Sequence, residues 1–340
     1  MNVLDCTIRD GGYVTNNKWE REPLKKIVIT LSSAGIKYIE IGNTLGLGMW
    51  HGSPTPHTDE YFMEACMPYK GDSMLGMFFI PGIGRKEDIA WFQENGGEFV
   101  RVGANATTIE TTFDYISYAK SLGLWVSCNL MKTYTISKYN LVRMAKGVID
   151  SGADCLYLVD SAGGMLPNQV SDYVRSIKDF YDISVGFHGH NNMQLANGNS
   201  FAAIQAGADF VDGTLQGLGR GAGNAHIESL VAICQKANII PNKCNVLELA
   251  DEGERVVGGL VHLGNTKREI NIGINNFHDS FTGLLEESSR KYGVDPDLLM
   301  EEVCKINVIN PSEELFDLAA LRLKNGRRFD YAPAYAHKNI

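Results

Sequence analysis

VGFHGH, at residues 185–190, ends an apolar run with two histidines two residues apart. Alternate residues of an extended strand point to the same side, so His188 and His190 can present two imidazole rings to one ion. The alternative interpretation is that two unrelated histidines end a strand and one of them is only hydrogen-bonded. The rest of the chain decides between these interpretations, because it determines which other polar groups come near the pair.

Short apolar segments alternate with segments of helical spacing on both sides of this stretch. Strands are predicted at residues 3–8, 38–41, 74–80, 99–102, 124–130, 155–159, 184–188 and 210–212. Predicted helices alternate with them, the last at 225–235, and a long loop rich in Gly and Pro, at 46–57, follows the second strand. This alternation is typical of a parallel α/β sheet, and eight repeats match a (β/α)8 TIM barrel. A doubly wound open sheet is the alternative, but no GxGxxG motif follows the first strand.

Composition and length are those of a globular protein with more than one unit. The 340 residues are 44% hydrophobic and 21% charged, which is ordinary globular composition. We predict a TIM-barrel catalytic domain over residues 1–240, an all-helical C-terminal appendage over 241–323, and a polar tail over 324–340. Helices of the appendage are predicted at 246–260, 281–291, 296–303 and 313–323.

Charge and cysteine content limit the classes of partner and compartment. The net charge of -9 argues against a nucleic-acid surface. Seven cysteines, an odd number and without a CxxC motif, favour reduced buried thiols and a cytoplasmic protein. The N-terminus has no basic or long apolar segment, and no apolar run reaches about 18 residues, so we expect neither a signal peptide nor a membrane span.

Polar residues follow several of the predicted strands. In a TIM barrel the active site lies at the carboxyl ends of the strands. The polar candidates there are Arg9, Asp10, Glu40, Asn129, Ser161, His188, His190 and the Gly-rich loop that ends at Asn224. Barrel closure places the first strand beside the eighth, which lies beside the seventh. We therefore expect Asp10 to lie near the two histidines.

Four motifs at these strand ends together resemble a known superfamily. They are TIRDG at 7–11, VDSAGGM at 159–165, VGFHGHNN at 185–192 and GLGRGAGN at 217–224. The chain resembles the metal-dependent aldolases and acyltransferases, which include 3-hydroxy-3-methylglutaryl-CoA lyase and isopropylmalate synthase. Within them it is most similar to the 4-hydroxy-2-oxovalerate aldolases, and the resemblance extends through the barrel into the appendage.

The resemblance implies a metal site with a substrate beside it. It implies that Asp10, His188 and His190 hold a divalent ion, Mn²⁺ or Mg²⁺, with open positions for substrate oxygens. Arg9 would lie beside the 2-oxo group and stabilise a developing enolate. Ser161 matches a position that contacts the pyruvyl carboxylate.

Three further residues are candidates for the site, and two of them also have a structural interpretation. Asn224 matches a position that assists the metal in the lyase branch, or it caps the helix that follows the Gly-rich loop. Glu40 and Asn129 are candidates for binding the substrate. Glu40 is alternatively one partner of an ion pair in the barrel wall.

The chain departs from the aldolases in its candidate acid and base. The aldolases have a histidine base three residues after the metal-binding aspartate, where this chain has Tyr13. Their site is reached by a tyrosine of the appendage, where this chain has the segment 276–281, NFHDSF, with His278. We expect His278 to act as the base, because an imidazole titrates near neutral pH and a phenol near pH 10. The alternative is that His278 only packs beside Phe277 and Phe281.

The activity implied by the resemblance is cleavage or formation of a 4-hydroxy-2-oxo acid, with pyruvate and an aldehyde as the other partners. The resemblance also implies contact with an acylating aldehyde dehydrogenase, or self-association, through the C-terminal helices. One alternative is a Claisen-type acyltransferase that joins an acyl-CoA to a 2-oxo acid, which thiol release from acetyl-CoA would identify. Another is a non-catalytic barrel that serves as a binding or assembly subunit, supported by the missing base at Tyr13.

Overall fold

A computed structural model describes residues 1–240, 245–262 and 266–329 of the protein. Eight parallel strands form a closed barrel in chain order, and β1 pairs with β8 to close it. This confirms the predicted TIM barrel. The strands are β1 Asn2–Asp5, β2 Tyr38–Ile41, β3 Met74–Phe79, β4 Phe99–Asn105, β5 Trp125–Met131, β6 Cys155–Asp160, β7 Ser184–Gly189 and β8 Phe210–Gly213.

Nine helices surround the barrel within the part of the chain described above. They are α1 Thr7–Thr15, α2 Arg21–Ser33, α3 Asp59–Cys66, α4 Lys86–Glu94, α5 Phe113–Ser121, α6 Lys138–Asp150, α7 Pro167–Lys178, α8 Ala196–Gln205 and α9 Ile227–Lys236. Apolar residues on the outward faces of the strands pack against these helices, so both faces of each strand are buried. Continuous burial explains why the strands read as apolar runs rather than as alternating patterns.

The first strand is shorter than predicted, and this changes where the site residues lie. We predicted a strand over residues 3–8, but β1 ends at Asp5 and α1 begins at Thr7. The Asp5 carboxylate accepts the Thr7 backbone N–H at 2.9 Å and the Thr7 hydroxyl at 2.6 Å, which favours the start of a helix there. Arg9 and Asp10 therefore lie on the first turn of a helix and not in a loop.

Aromatic side chains close the floor of the barrel. The ring centre of Tyr38 lies 5.7 Å from those of Phe99 and Trp125 and 5.2 Å from that of Phe210. The Phe99 ring fits because Gly76 on the neighbouring strand has no side chain: a Cβ atom on Gly76 would lie 2.1 Å from that ring. The filled floor leaves only the opposite end of the barrel open to ligands.

Among the described residues, five helices follow the barrel. They are α10 Val246–Val257, α11 Lys267–Asn275, α12 Thr282–Tyr292, α13 Pro296–Cys304 and α14 Glu313–Lys324. Leu249 and Val257 of α10 belong to the apolar cluster of the barrel. The later helices form a separate cluster around Phe277 and Phe316. This second cluster supports the segment that covers the open end of the barrel.

Helix α11 was not predicted from the sequence. Ile270, Ile272 and Ile274 alternate with polar residues, which is the period of a strand. The hydroxyl of Thr266 nevertheless accepts the backbone N–H of Glu269, and the Glu269 carboxylate accepts that of Thr266. This capping box starts a helix, so Ile270 and Ile274 stay exposed and Ile272 is buried.

The remaining sequence predictions concern single residues and segments. The six described cysteines form no disulfide, and all but Cys304 are buried; Cys244 lies outside the described residues. Residues 330–340 of the polar tail predicted over 324–340 lie outside the described residues as well. In the described ranges, no helix has both the length and the apolar character needed to cross a membrane.

Candidate active site

A cavity of about 440 Å³ lies between the carboxyl ends of the strands and the appendage. Its volume is in the range of small-molecule sites. The appendage side is formed by the short helical turn Asp279–Phe281, by His278 before it and by Asn310. Eight of the ten predicted site residues line the cavity: Arg9, Asp10, Tyr13, Asn129, Ser161, His188, His190 and His278.

Asp10, His188 and His190 meet at one point of the cavity wall, as expected. One ligand atom from each lies within 4.8 Å of the other two, and all three residues are buried. Nε2 of His188 is 3.5 Å from Oδ2 of Asp10. The other ring nitrogen of His188, Nδ1, is 2.9 Å from Oδ2 of Asp212. The Asp212 contact fixes the ring so that Nε2 faces Asp10, which is the usual arrangement of a metal-binding histidine.

A second group, Cys6 with His188 and Asp212, also has its ligand atoms within 4.8 Å of one another. It is a poor metal site. Nδ1 of His188, the ring nitrogen on that side, is already bonded to Oδ2 of Asp212 at 2.9 Å, and the Arg101 guanidinium bonds the same oxygen at 2.5 Å, so neither atom is free for an ion. Burial and the nearby Asp212 hold the pKa of the Cys6 thiol well above its usual value, so the thiol is protonated.

Two buried polar atoms support a metal at the Asp10 group. Nδ1 of His190 and Oδ1 of Asn224 have no hydrogen-bond partner among the residues that the structure describes, although Nδ2 of Asn224 donates to Oδ2 of Asp10 at 2.8 Å. Helix α9 begins at Ile227 with His226 as its N-cap, so Asn224 does not cap that helix. One carboxylate oxygen and two imidazole nitrogens are a donor set that fits a divalent ion.

The charges around this group favour the protonation states that metal binding needs. Burial alone would raise the pKa of Asp10, but Arg9, His188 and His190 outweigh it and hold that pKa below its usual value. Burial and the Arg220 guanidinium hold the pKa of His190 well below its usual value. The carboxylate is therefore ionised and the His190 ring neutral at pH 7, as metal ligands must be.

A network of buried charges supports the site from below. Nε of Arg9 donates to Oε2 of Glu40 at 2.8 Å, and the Arg9 guanidinium also bonds Asp10. Arg101 contacts Oε1 of Glu40 at 3.3 Å and Oδ2 of Asp212 at 2.5 Å. Glu40 is fully buried and does not line the cavity, so its position is that of the ion-pair partner we gave as its alternative.

Arg101 and Asp212 were not identified as site residues from the sequence. Each interrupts an apolar strand with a charge, in FVRVGAN at 99–105 and FVDG at 210–213. A charge in a strand that is buried on both faces requires a partner, because an isolated buried charge is very unfavourable. This rule indicates from the sequence that Arg101 and Asp212 each have a buried charged partner, although it does not identify that partner.

Ser161 lies between two cationic residues. Its Oγ accepts the backbone N–H of Lys132 at 3.0 Å, and its carbonyl oxygen accepts an N–H of Arg220 at 3.2 Å. Both cations line the cavity, and neither was singled out in the sequence. Burial and the nearby Arg220 lower the pKa of Lys132 to about 8. Asn129 is also part of this wall, and its Oδ1 accepts the Ser127 hydroxyl at 2.8 Å.

Tyr13 and His278 face the cavity near its appendage side. Burial raises the pKa of Tyr13. Burial, Arg220 and Lys132 hold the pKa of His278 well below its usual value, so its ring is neutral at pH 7. Nδ1 of His278 accepts the backbone N–H of Ser280 at 3.2 Å. The ring of His278 also lies 6.2 Å from that of Phe281, so the residue both lines the cavity and packs in the appendage.

Arg220 joins the barrel to the appendage across the cavity. Its guanidinium carbon lies 5.4 Å from the Tyr13 ring centre, and its Nε lies 3.2 Å from Oδ2 of Asp279. The appendage segment that carries His278 is therefore held against the loop after β8 by an ion pair. Because both partners are largely buried, this contact is better shielded from water than a surface ion pair.

Comparison with known proteins places this chain in a family. The family model described as HMGL-like matches residues 1–256. The 4-hydroxy-2-oxovalerate aldolase of Chloroflexus aggregans is 33% identical over 96% of this chain and 96% of its own. The oxaloacetate decarboxylase of Mycobacterium tuberculosis is 40% identical over 69% of this chain and 70% of its own. The carboxyl transferase domain of Rhizobium etli pyruvate carboxylase, solved with pyruvate and biocytin, shares the fold with a TM-score of 0.76 at 14% identity, over 96% of this chain and 61% of that one. The chain belongs to the HMGL-like family.

Proposed function

We propose that this protein is a divalent-metal-dependent aldolase that cleaves, or forms, a 4-hydroxy-2-oxo acid to give pyruvate and an aldehyde. One observation carries the proposal: a carboxylate and two imidazoles that could hold one ion share a cavity with a buried arginine, in a member of the HMGL-like family. The relative named 4-hydroxy-2-oxovalerate aldolase, which matches almost the whole chain, supports the same activity.

Asp10, His188 and His190 hold the ion in this proposal, with Asn224 assisting through its unpartnered Oδ1. Mn²⁺ and Mg²⁺ are the candidates. When bound, such an ion supplies Lewis-acid polarisation of the 2-oxo group of the substrate. Asn224 also holds Asp10 in place, since its amide donates to the Asp10 carboxylate.

Arg9 stabilises the negative charge that develops on the 2-oxo oxygen as the enolate forms. The guanidinium is fixed on two sides by Asp10 and Glu40, so it needs no rearrangement when charge appears. Ser161 and Asn129 bind the carboxylate of the 2-oxo acid, and Arg220, which is hydrogen-bonded to Ser161, adds positive charge there.

His278 acts as the base in the proposed reaction. It removes the proton from the C4 hydroxyl, the C3–C4 bond breaks, and its electron pair passes to the enolate. The aldehyde leaves, and the proton that His278 took from the hydroxyl passes to C3 of the enolate, which gives pyruvate. His278 lines the cavity and is neutral at pH 7, which a base must be; the proton goes to its unprotonated nitrogen, Nδ1, which gives up the Ser280 N–H as it takes the hydroxyl proton. Tyr13, whose pKa is raised by burial, serves as a hydrogen-bond donor to the substrate.

Decarboxylation of oxaloacetate is a second candidate, and the surroundings of His278 favour it. Nδ1 of His278 is already used by the Ser280 backbone N–H, and Tyr13 has a raised pKa. Loss of CO₂ from a 3-carboxylate yields the same pyruvate enolate and requires no base at a hydroxyl. The relative named oxaloacetate decarboxylase is consistent with this chemistry.

Pyruvate release tests the proposal and separates the two reactions. Purified protein with Mn²⁺ or Mg²⁺ is given 4-hydroxy-2-oxo acids of increasing chain length and, separately, oxaloacetate. We expect metal-dependent release of pyruvate with one equivalent of aldehyde, which EDTA abolishes.

Two variants serve as controls. His188→Ala should be inactive and also measures the metal-catalysed background with oxaloacetate, whereas His262→Ala, an exposed histidine outside the cavity, should keep full activity. If pyruvate forms from oxaloacetate but from none of the 4-hydroxy-2-oxo acids, the activity is decarboxylation and not aldol cleavage. No pyruvate from any of these acids would refute both.

A further inference from the structure

Lys132 is a buried cation whose charge no described carboxylate neutralises. The residue is 3% exposed, and no carboxylate oxygen of the described residues lies within 4.0 Å of its Nζ. Nζ donates to the carbonyl oxygen of Ile309 at 2.7 Å and lies 4.9 Å from the ring centre of Phe281. An ammonium group has three N–H donors, and a buried charge is unfavourable unless it is paired. Its surroundings therefore lack an anion.

The other two cations that line the cavity in the described chain do have carboxylate partners. Arg9 is paired with Asp10 and with Glu40, and Arg220 is paired with Asp279. An anion that enters the cavity therefore finds unneutralised protein charge at Lys132. This position is on the appendage side, because the contacts of Nζ are with the appendage.

The backbone of Lys132 is also in an unusual conformation. Its φ of 58° and ψ of 42° lie in the left-handed region, which is unfavourable for a residue with a Cβ atom. The hydrogen bond from its N–H to Ser161 ties this conformation to the site. Strained positions of this kind are typically kept at binding sites, where they direct a side chain.

The cavity has room for more than pyruvate. Pyruvate has six heavy atoms, which occupy roughly 180 Å³ at about 30 Å³ each, the volume per molecule of liquid water. The cavity measures about 440 Å³. More than half of it is therefore left for the part of the substrate beyond C3.

We propose that Lys132 binds a second carboxylate, carried by the end of the substrate remote from the 2-oxo acid group. The substrate class is thus a 4-hydroxy-2-oxo diacid, and the aldehyde released from it carries the second carboxylate. This inference rests on the proposed function, because that function places the 2-oxo acid group at the metal side. One ammonium suits a carboxylate better than a phosphate, which would need more donors than this wall provides.

Binding of matched ligands tests this assignment without turnover. 2-Oxoglutarate and 2-oxovalerate differ only in a carboxylate against a methyl group, as do 2-oxoadipate and 2-oxohexanoate. Dissociation constants of these four acids are measured by calorimetry for the full chain with Mn²⁺. The same is done for Lys132→Met and for Lys138→Met, which removes the same charge from an exposed position outside the cavity. We expect at least one diacid to bind on the order of 10-fold or more tightly than its methyl partner, as a hydrogen-bonded charge pair allows.

The expected pattern is loss of this preference in Lys132→Met and its retention in Lys138→Met. Equal affinity within both pairs in the native protein would overturn the inference. It would also be overturned if Lys132→Met weakened diacid and monoacid equally, since Lys132 would then serve the first carboxylate. If the protein cleaves methyl-ended substrates and binds diacids and monoacids with equal affinity, the aldolase activity stands and only the diacid substrate class is refuted. Tighter binding of a diacid without cleavage of any substrate would refute the aldolase and leave the binding of a second carboxylate by Lys132 standing.

Discussion

Replacing Asp212 by asparagine is the perturbation that bears on both the stability of the barrel and the metal site. Oδ2 of Asp212 accepts Arg101 at 2.5 Å and lies 2.9 Å from Nδ1 of His188. Arg101 is fully buried, and among the described residues it would keep only one carboxylate partner, Glu40, which it contacts at 3.3 Å and shares with Arg9. Breaking a buried ion pair by removing one partner costs about 3–5 kcal/mol. That is a large part of the roughly 5–15 kcal/mol by which proteins are stable.

The same substitution should weaken the metal site. Removing the group that orients a metal-binding histidine typically lowers metal affinity by about 10- to 100-fold. Stability is measured by urea unfolding in EDTA, because a bound ion would add its own stabilisation. Metal affinity is then measured by Mn²⁺ calorimetry. Asp172→Asn is the matched control, since Asp172 pairs with Lys138 at the surface, where ion pairs contribute little. An Asp212→Asn protein with unchanged stability in EDTA and unchanged Mn²⁺ affinity would refute this account of the buried network.

Three further predictions concern individual side chains. Arg9→Lys should lower kcat by about 10²–10³ with a smaller change in KM, because it keeps the charge but loses the planar fork; an unchanged kcat removes Arg9 from the reaction. His278→Asn should lower kcat by on the order of 10²-fold and remove the acidic limb of the pH–rate profile, and Tyr13→Phe should have the smaller effect; full activity in His278→Asn contradicts the assignment of the base. Burial and Arg220 lower the pKa of Lys132 to about 8, so its positive charge is present below that pH and lost above it. The affinity ratio of 2-oxoglutarate to 2-oxovalerate should therefore fall as the pH rises through about 8, whereas a constant ratio from pH 7 to 9 would exclude Lys132 from diacid binding.

The barrel and the metal group could be predicted because they depend on patterns along the chain. Apolar runs at regular spacing identify the strands, and barrel topology then brings the ends of β1 and β7 together, although they are far apart in sequence. The proximity of Asp10 to His188 and His190 follows from that topology, whereas their role as metal ligands was implied by the family resemblance. The helical start at Thr7 was missed because an aspartate side chain, not an apolar pattern, ends β1.

The supporting residues could not be predicted because their partners come from distant parts of the chain. Arg101 bonds a carboxylate that lies 111 residues away in the chain, and Lys132 bonds a carbonyl oxygen 177 residues away. Pairings of this kind depend on side-chain packing in the folded barrel. The cavity wall formed by the appendage could not be predicted for the same reason, since it depends on the contact between Arg220 and Asp279.

The central claim is that Asp10, His188 and His190 bind one divalent ion, and Mn²⁺ calorimetry of the full chain tests it most directly. We expect one ion per chain, no binding to His188→Ala at the same concentrations, and unchanged binding to His262→Ala. Circular dichroism of His188→Ala should match that of the native protein, because the residue lies at the open end of the barrel. Absence of Mn²⁺ binding in the native protein, or full binding in a folded His188→Ala protein, would contradict the claim.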